Sequence, residues 1–143
     1  MMVLDLSRDF LFVFFSVLIS WLLANFLKPF LNKEISFKEI FSKDGGMPSA
    51  HTTPASALMF SIFLSQGFSL LLVFSMVFLI AIMRDAVGVR YASGQNAIVL
   101  KKVVKKIDLK ETVLVVKGHT NSQVLAGLFL GFFTTIILYG VFF

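Results

Sequence analysis

Polar and apolar positions in this chain separate into long blocks instead of alternating along one face of an element. From Phe10 to Leu27 no acidic or basic side chain interrupts the apolar run, close to the ~20 residues that cross a bilayer as a helix. From Ser49 to Met83 there is again no formally charged residue. That stretch is too long for one span, and Ser65-Gln66-Gly67 breaks it. It predicts two antiparallel helices, roughly Thr53 to Leu64 and Phe68 to Met83. The former is short, so it is expected to tilt, to extend back toward Ser49, or to bury itself against its neighbours. A last block runs from Asn121 to Phe143. The pattern predicts an all-α integral membrane bundle of about four transmembrane helices, as one domain over residues 1–143. Asp5, Arg8 and Asp9 precede the first block, which ends Asn25-Phe26-Leu27-Lys28-Pro29 without a small-residue cleavage pattern. A permanent helix is expected there, not a cleaved leader.

Composition narrows the class further. Fifty-seven per cent of residues are hydrophobic, eighteen are phenylalanine, and the mean hydropathy is +0.89. A soluble domain of this size would have to expose much of that surface to water. With no cysteine, disulfides and thiolate metal sites are excluded. The two histidines and scattered acids show no convincing metal-ligand spacing, so no metal and no cofactor are expected.

Charge becomes informative once it is laid over the spans. Four crossings put both termini on one face, and twelve of the thirteen Lys and Arg residues, all but Arg8, on the other. The positive-inside rule then predicts cytoplasmic segments from Lys28 to Ser49 and from Arg84 to His119, with both termini outside the cell (inner) membrane. Between Ala97 and Ile107, Ile98, Val99, Val103, Val104 and Ile107 intersperse with Lys101, Lys102, Lys105 and Lys106. This predicts a cytoplasmic amphipathic helix on the membrane surface, where each basic residue near anionic headgroups contributes about 1 kcal/mol. No recognition module accompanies it, so nucleic acid is not an expected partner.

The chain's two histidines, His51 and His119, both fall where a lysine-rich segment meets an apolar block. Four spans place them on one membrane face; three or five would separate them. Lys28, Arg84 and Arg90 end spans on that same face, where entering helices present free N–H groups, so an anion site is expected. In Pro48-Ser49-Ala50-His51, the Ser49 hydroxyl and the backbone at Ala50 could hold phosphate oxygens while His51 offers a proton. The plainer alternative is that Ser49, or Thr53 before Pro54, caps a helix. Gly118-His119-Thr120-Asn121-Ser122-Gln123 contains a capping box with Thr120 and Gln123, a role that does not account for His119. Asp85 and Arg90 lie about 140° apart on an unbroken helix. They serve one site only if the helix loosens near Gly88 or if they approach it from different directions. The alternative for Arg84 and Arg90 is snorkelling to headgroups. Gly127 and Gly131 form a small-xxx-small pair suited to close helix packing.

The pieces Gly-Gly-Met-Pro-Ser-Ala-His at 45–51, Asp-Ala-Val-Gly-Val-Arg at 85–90, Ser-Gly-Gln-Asn-Ala at 93–97, and Gly-His-Thr followed by Gln-Val-Leu-Ala-Gly from 118 to 127 resemble the divergent branch of the type 2 phosphatidic acid phosphatase family. That family is related to the vanadium-dependent haloperoxidases. Lys28-Pro29 fits its basic residue after the opening helix. The resemblance runs over nearly the whole chain and implies metal-independent hydrolysis of a phosphate ester or diphosphate through a phosphohistidine. It implies His119 as nucleophile and His51 as acid, with Lys28, Ser49 and Arg90 on the equatorial oxygens. Gly118, Arg84 and Gln123 are expected in support.

Three departures bear on this. Val113 stands where the wider superfamily has an arginine six residues before the nucleophile, so Arg90 must substitute. Gln123 stands where an acid usually follows that histidine, which leaves Asp85 as the carboxylate to stabilise a phosphohistidine. The spans are fewer than in six-helix relatives, and a homodimer would complete the structure. The expected substrate is a phospholipid or isoprenoid phosphate of the inner leaflet, phosphatidylglycerophosphate or phosphatidate ahead of a prenyl diphosphate. A non-catalytic protein binding anionic headgroups is the alternative, and a transporter is the weakest reading.

Overall fold

A computed structural model of the chain describes residues 6–32, 45–116 and 118–143. Those residues form α1 (Leu6–Leu31), α2 (Thr52–Gln66), α3 (Leu70–Arg84), a π-helical turn (Asp85–Val89), α4 (Arg90–Lys106) and α5 (Asn121–Phe142), with no strand among them. Three stretches are long and apolar enough to cross a membrane: Leu6–Leu31, Asn121–Phe142 and Leu70–Lys106, which runs through α3, the π turn and α4. The span predicted from Phe10 to Leu27 is longer at both ends. Residues 33–44 of the lysine-rich segment expected between the first two spans lie outside the described residues.

α2 solves its shortness by burial. Its 15 residues reach about 22 Å, less than the ~30 Å hydrocarbon core, and it packs against α1, α3 and α5. The face it buries is made mostly of small residues, Thr52, Thr53, Ala55, Ser56, Ala57, Ser61 and Ser65, with Ile62 the one large apolar side chain among them. Most of the large apolar side chains point the other way, with Phe10, Phe14, Phe26, Phe30, Phe74, Phe129 and Phe133 exposed on the outside of the bundle. Lipid tails are as apolar as leucine, so such helices associate by close approach of small residues and by interhelical hydrogen bonds.

α5 supplies the closest approach. A Cβ on Gly131 would lie 2.3 Å from the Thr53 carbonyl oxygen and 2.8 Å from Ser56 Cβ, and one on Gly127 would lie 3.0 Å from the Ser49 carbonyl oxygen. With the backbones this near, Ser56 Oγ donates to the Leu128 carbonyl at 2.7 Å and Thr135 Oγ1 reaches the Ala57 carbonyl at 3.4 Å. The Gly127/Gly131 pair is therefore a packing device, as its spacing predicts.

The break at Ser65-Gln66-Gly67 is a helical hairpin. Gly67 takes φ 63°, which a glycine adopts without the Cβ penalty, and its N–H closes α2 on the Phe63 carbonyl at 2.9 Å. Ser69 caps α3, its Oγ accepting from the Leu72 N–H at 3.2 Å. Near the start of α1, Phe12 packs edge-on against Tyr139 and Phe143 near the end of α5. α1 and α3 thus run in one direction, and α2 and α5 in the other. The ends of α1 and α3 and the starts of α2 and α5 gather at one end of the bundle, bringing both histidines with them.

Candidate active site

The two lines of approach to this end differ in how they are held. α2 begins on Ser49, whose Oγ accepts from the Thr52 N–H at 3.3 Å and from Thr52 Oγ1 at 3.0 Å, while its carbonyl accepts from Thr53 Oγ1 at 2.8 Å. Its N–H donates to the Gln123 carbonyl at 3.2 Å, stapling the start of α2 to the start of α5. Both helices therefore start at this end of the bundle, with the positive ends of their dipoles there. Ser49 thus makes a cap-type contact to the first N–H of α2, as in the plainer alternative, and Ser49 and Ala50 are buried and outside the pocket lining.

His51 sits exposed at the start of α2, and His119 lies just before α5 with 3% of its surface exposed. Together with Ile82, Asp85, Ala86 and Arg90 they line one open pocket. Its volume of about 50 Å³ is several times the ~10–15 Å³ that a single water requires.

Asp85 and Arg90 reach that pocket together because the helix widens between them. Over Asp85–Val89 the turn is π-helical, and the Arg90 N–H bonds to the Asp85 carbonyl five residues back. The extra residue cancels the displacement an α-helix would impose, so Arg90 Nε donates to Asp85 Oδ2. Gly88 within the turn lowers the cost of leaving α geometry, and such turns recur at functional sites. Of the two routes the sequence leaves open, loosening near Gly88 is the one taken.

The same turn receives His119. The Ala86 carbonyl accepts the His119 N–H at 3.1 Å, and Gly118 lies so close that a Cβ there would stand 2.2 Å from the Tyr91 nitrogen. On its other side, His119 Nδ1 is 3.1 Å from the Gly46 carbonyl oxygen. A carbonyl can only accept, so Nδ1 carries the proton in this contact and Nε2 keeps its lone pair. Burial holds the imidazole below its ordinary pKa, and the charge of Lys28 at the end of α1 acts in the same direction, with a smaller push from His51. Hydrogen bonds to Gly46 and to the Gln123 side chain partly oppose this. His119 is therefore biased toward the neutral, nucleophilic form. Gln123 Oε1 also accepts the Thr120 N–H at 3.1 Å, so the capping role and the contact with His119 coexist.

The expected residues do not all meet on the pocket. His51, His119, Asp85 and Arg90 line it. Lys28 is buried and close enough for its charge to bear on His119, but it is not part of the lining. Arg84 is exposed and turned elsewhere. Val113 is half-buried in the connection between α4 and α5, and Arg90 occupies the pocket instead. Among the described residues no group of three or more His, Asp or Glu side chains is arranged to hold a metal ion. One contributor carried no signal in sequence: Asn32, one residue past α1, whose Oδ1 accepts the Met47 N–H at 2.8 Å and whose Nδ2 donates to the Met47 carbonyl at 2.6 Å.

The model of the divergent PAP2 family matches residues 11–134. The chain belongs to that family. Its matched region includes every pocket residue, and with its apolar helices it is an integral membrane protein. The chain is also 38% identical over 66 residues to the uncharacterized membrane protein YuiD of Bacillus subtilis (strain 168); the match covers 46% of this chain and 42% of that protein. This chain thus spans less than half the length of the curated relative it matches. No solved structure matches it.

Proposed function

We propose that this protein hydrolyses a phosphate ester of a membrane lipid through a phosphohistidine on His119. The observation that carries the proposal is the meeting of His119, His51 and Arg90 on one pocket, with the His119 Nδ1 proton committed to Gly46. In the first step His119 Nε2 attacks phosphorus, the bond from phosphorus to the ester oxygen breaks, and His51 gives that oxygen its proton. In the second, water attacks phosphorus, His51 takes its proton, and the phosphorus–nitrogen bond breaks to release phosphate. Arg90 and Lys28 offset charge on the equatorial oxygens, and the N-termini of α2 and α5 add to the same field. Phosphoryl transfer depends mainly on such positioning and neutralisation. Asp85 orients Arg90 through their ion pair, and its charge supports the cation of the phosphohistidine.

Charge placement supports the reading of substrate and sidedness. In sequence, twelve of the thirteen basic residues lie from Lys28 to Lys117, in or at the ends of the two segments expected on the site face, which favours a cytoplasmic site, termini outside, and an inner-leaflet lipid such as phosphatidylglycerophosphate or phosphatidate. The test is phosphate release by detergent-purified protein from those two lipids and a prenyl diphosphate, comparing wild type with His119→Ala. Turnover of none of them, or activity untouched by the substitution, sinks the proposal. Sidedness is checked separately, since the chain lacks cysteine. A cysteine introduced between Ile35 and Phe41 should resist an impermeant external reagent and one beside Met1 should react; the reverse would place the site outside.

A further inference from the structure

The Gly46–Met47 peptide is gripped at both of its polar atoms. Its carbonyl oxygen accepts from His119 Nδ1 at 3.1 Å, and its N–H donates to Asn32 Oδ1 at 2.8 Å. Asn32 also takes hold of the next carbonyl, that of Met47, through Nδ2 at 2.6 Å, and of its own helix end through the Lys28 carbonyl at 2.7 Å. One side-chain amide thus engages both backbone groups of Met47 and anchors them to the end of α1. The Met47 N–H bond holds the Gly46–Met47 peptide itself and the Met47 carbonyl bond holds the next one, so the peptides on both sides of Met47 Cα are constrained from one side chain, and with them the direction of the Gly46 carbonyl. Gly45 and Gly46, at φ 101° and 80°, occupy a region that permits many loop paths, so the loop's own covalent geometry does not impose that direction.

Resting on the proposal that His119 is the nucleophile, we infer that Asn32 is a positioning residue that selects the His119 tautomer. Through the Gly46–Met47 peptide it holds the acceptor for Nδ1–H in place and so keeps Nε2 unprotonated toward the pocket. The ring nitrogen that carries a proton is set by the hydrogen bond made at the other nitrogen, and a chain of hydrogen bonds through a peptide polarises each member in the same sense. Asn32 touches no reacting atom. Its effect passes wholly through the peptide, and it links that peptide to the turn of α1 that bears Lys28.

The experiment is nitrogen NMR of the histidine rings in the full chain, labelled at histidine and solubilised in detergent above the His119 pKa, with His51→Asn identifying the His119 signals. Wild type should show a protonated Nδ1 and an unprotonated Nε2. Asn32→Ala should shift the neutral ring toward the Nε2–H form. Asn32→Gln keeps both an acceptor for the Met47 N–H and a donor for its carbonyl and should retain the wild-type tautomer, whereas Asn32→Asp turns an acceptor oxygen on the Met47 and Lys28 carbonyls and should shift the ring as Asn32→Ala does. In the lipid assay, Asn32→Ala should lower kcat by ~10-fold or more with KM changed less than about threefold, and Asn32→Gln should recover part of the loss. A wild-type tautomer in Asn32→Ala overturns the inference. If Asn32→Ala does not fold, an Nε2-protonated ring in Asn32→Asp upholds it, and a wild-type tautomer in that variant overturns it. The ring spectra need no turnover, so a protein that shows the tautomer shift yet hydrolyses nothing would refute the phosphohistidine and leave the Asn32 link standing.

Discussion

Replacing Gly118 with alanine should disable the site while leaving the bundle largely intact. The added methyl would stand 2.2 Å from the Tyr91 nitrogen, 2.5 Å from Tyr91 Cα and 2.6 Å from the Arg90 carbonyl carbon. All three are backbone atoms of a helix and cannot swing aside. Ordinary contact between such atoms begins near ~3.5 Å, so the Gly118–His119 segment must lift by about 1 Å. The His119 N–H then loses the Ala86 carbonyl, now at 3.1 Å. Leaving those two buried groups unpaired costs about 1–3 kcal/mol locally. The His119 amide should accordingly exchange its hydrogen ~10-fold faster or more. A reacting group misplaced by about 1 Å commonly loses ~100-fold in rate, so phosphate release should fall by that order. The α2–α5 contacts are untouched, and the thermal midpoint should move little. The assays are amide exchange resolved at His119, lipid phosphate release and a helicity melt on one preparation. Unchanged protection at His119 together with activity within about threefold of wild type would refute the docking of this segment on the π turn as the determinant of the site.

Other expectations follow from the same geometry. Gly131→Ala drives a methyl to 2.3 Å from the Thr53 carbonyl and should cost about 1–3 kcal/mol in detergent unfolding, whereas Gly140→Ala, with nothing within 4 Å of the new atom, should be neutral. Because burial lowers the His119 pKa, the folded chain binds fewer protons than the unfolded one between that lowered value and about 6.5. Stability should rise with pH through this window, and it should fall as acid protonates the buried ring; His119→Asn should flatten that dependence in pH-scanned melts. The acid limb of activity belonging to His119 should likewise lie below about 6.5. EDTA should leave phosphate release unchanged, and a loss restored by a divalent cation would contradict the phosphohistidine route.

Sequence alone determined where the membrane helices lie and how many residues of chemical interest stand at their ends. Apolar block length is a one-dimensional property, and so is the excess of lysine and arginine between blocks. The Gly127/Gly131 spacing and the Thr120/Gln123 cap were equally legible, because each is a contact set by a few neighbouring positions. The limits of α2 were less so, since serine and threonine pack as small residues inside a bundle yet lower the apolar signal that marks a span.

Tertiary structure alone decided the site. Whether Asp85 and Arg90 share a face turned on one extra residue in a helical turn, and local preference barely separates an α turn from a π turn. Here the π turn offers Ala86 to the His119 N–H and the start of α4 seats Gly118 on Tyr91, contacts made by segments distant in sequence. Asn32 was invisible for the same reason: asparagine just past a helix end is ordinary, and its role exists only because the loop from Gly45 returns Met47 to it. The apolar pattern brought two histidines to one end of a bundle, and a long-range hydrogen bond between an imidazole and a backbone carbonyl set the proton position on one of them.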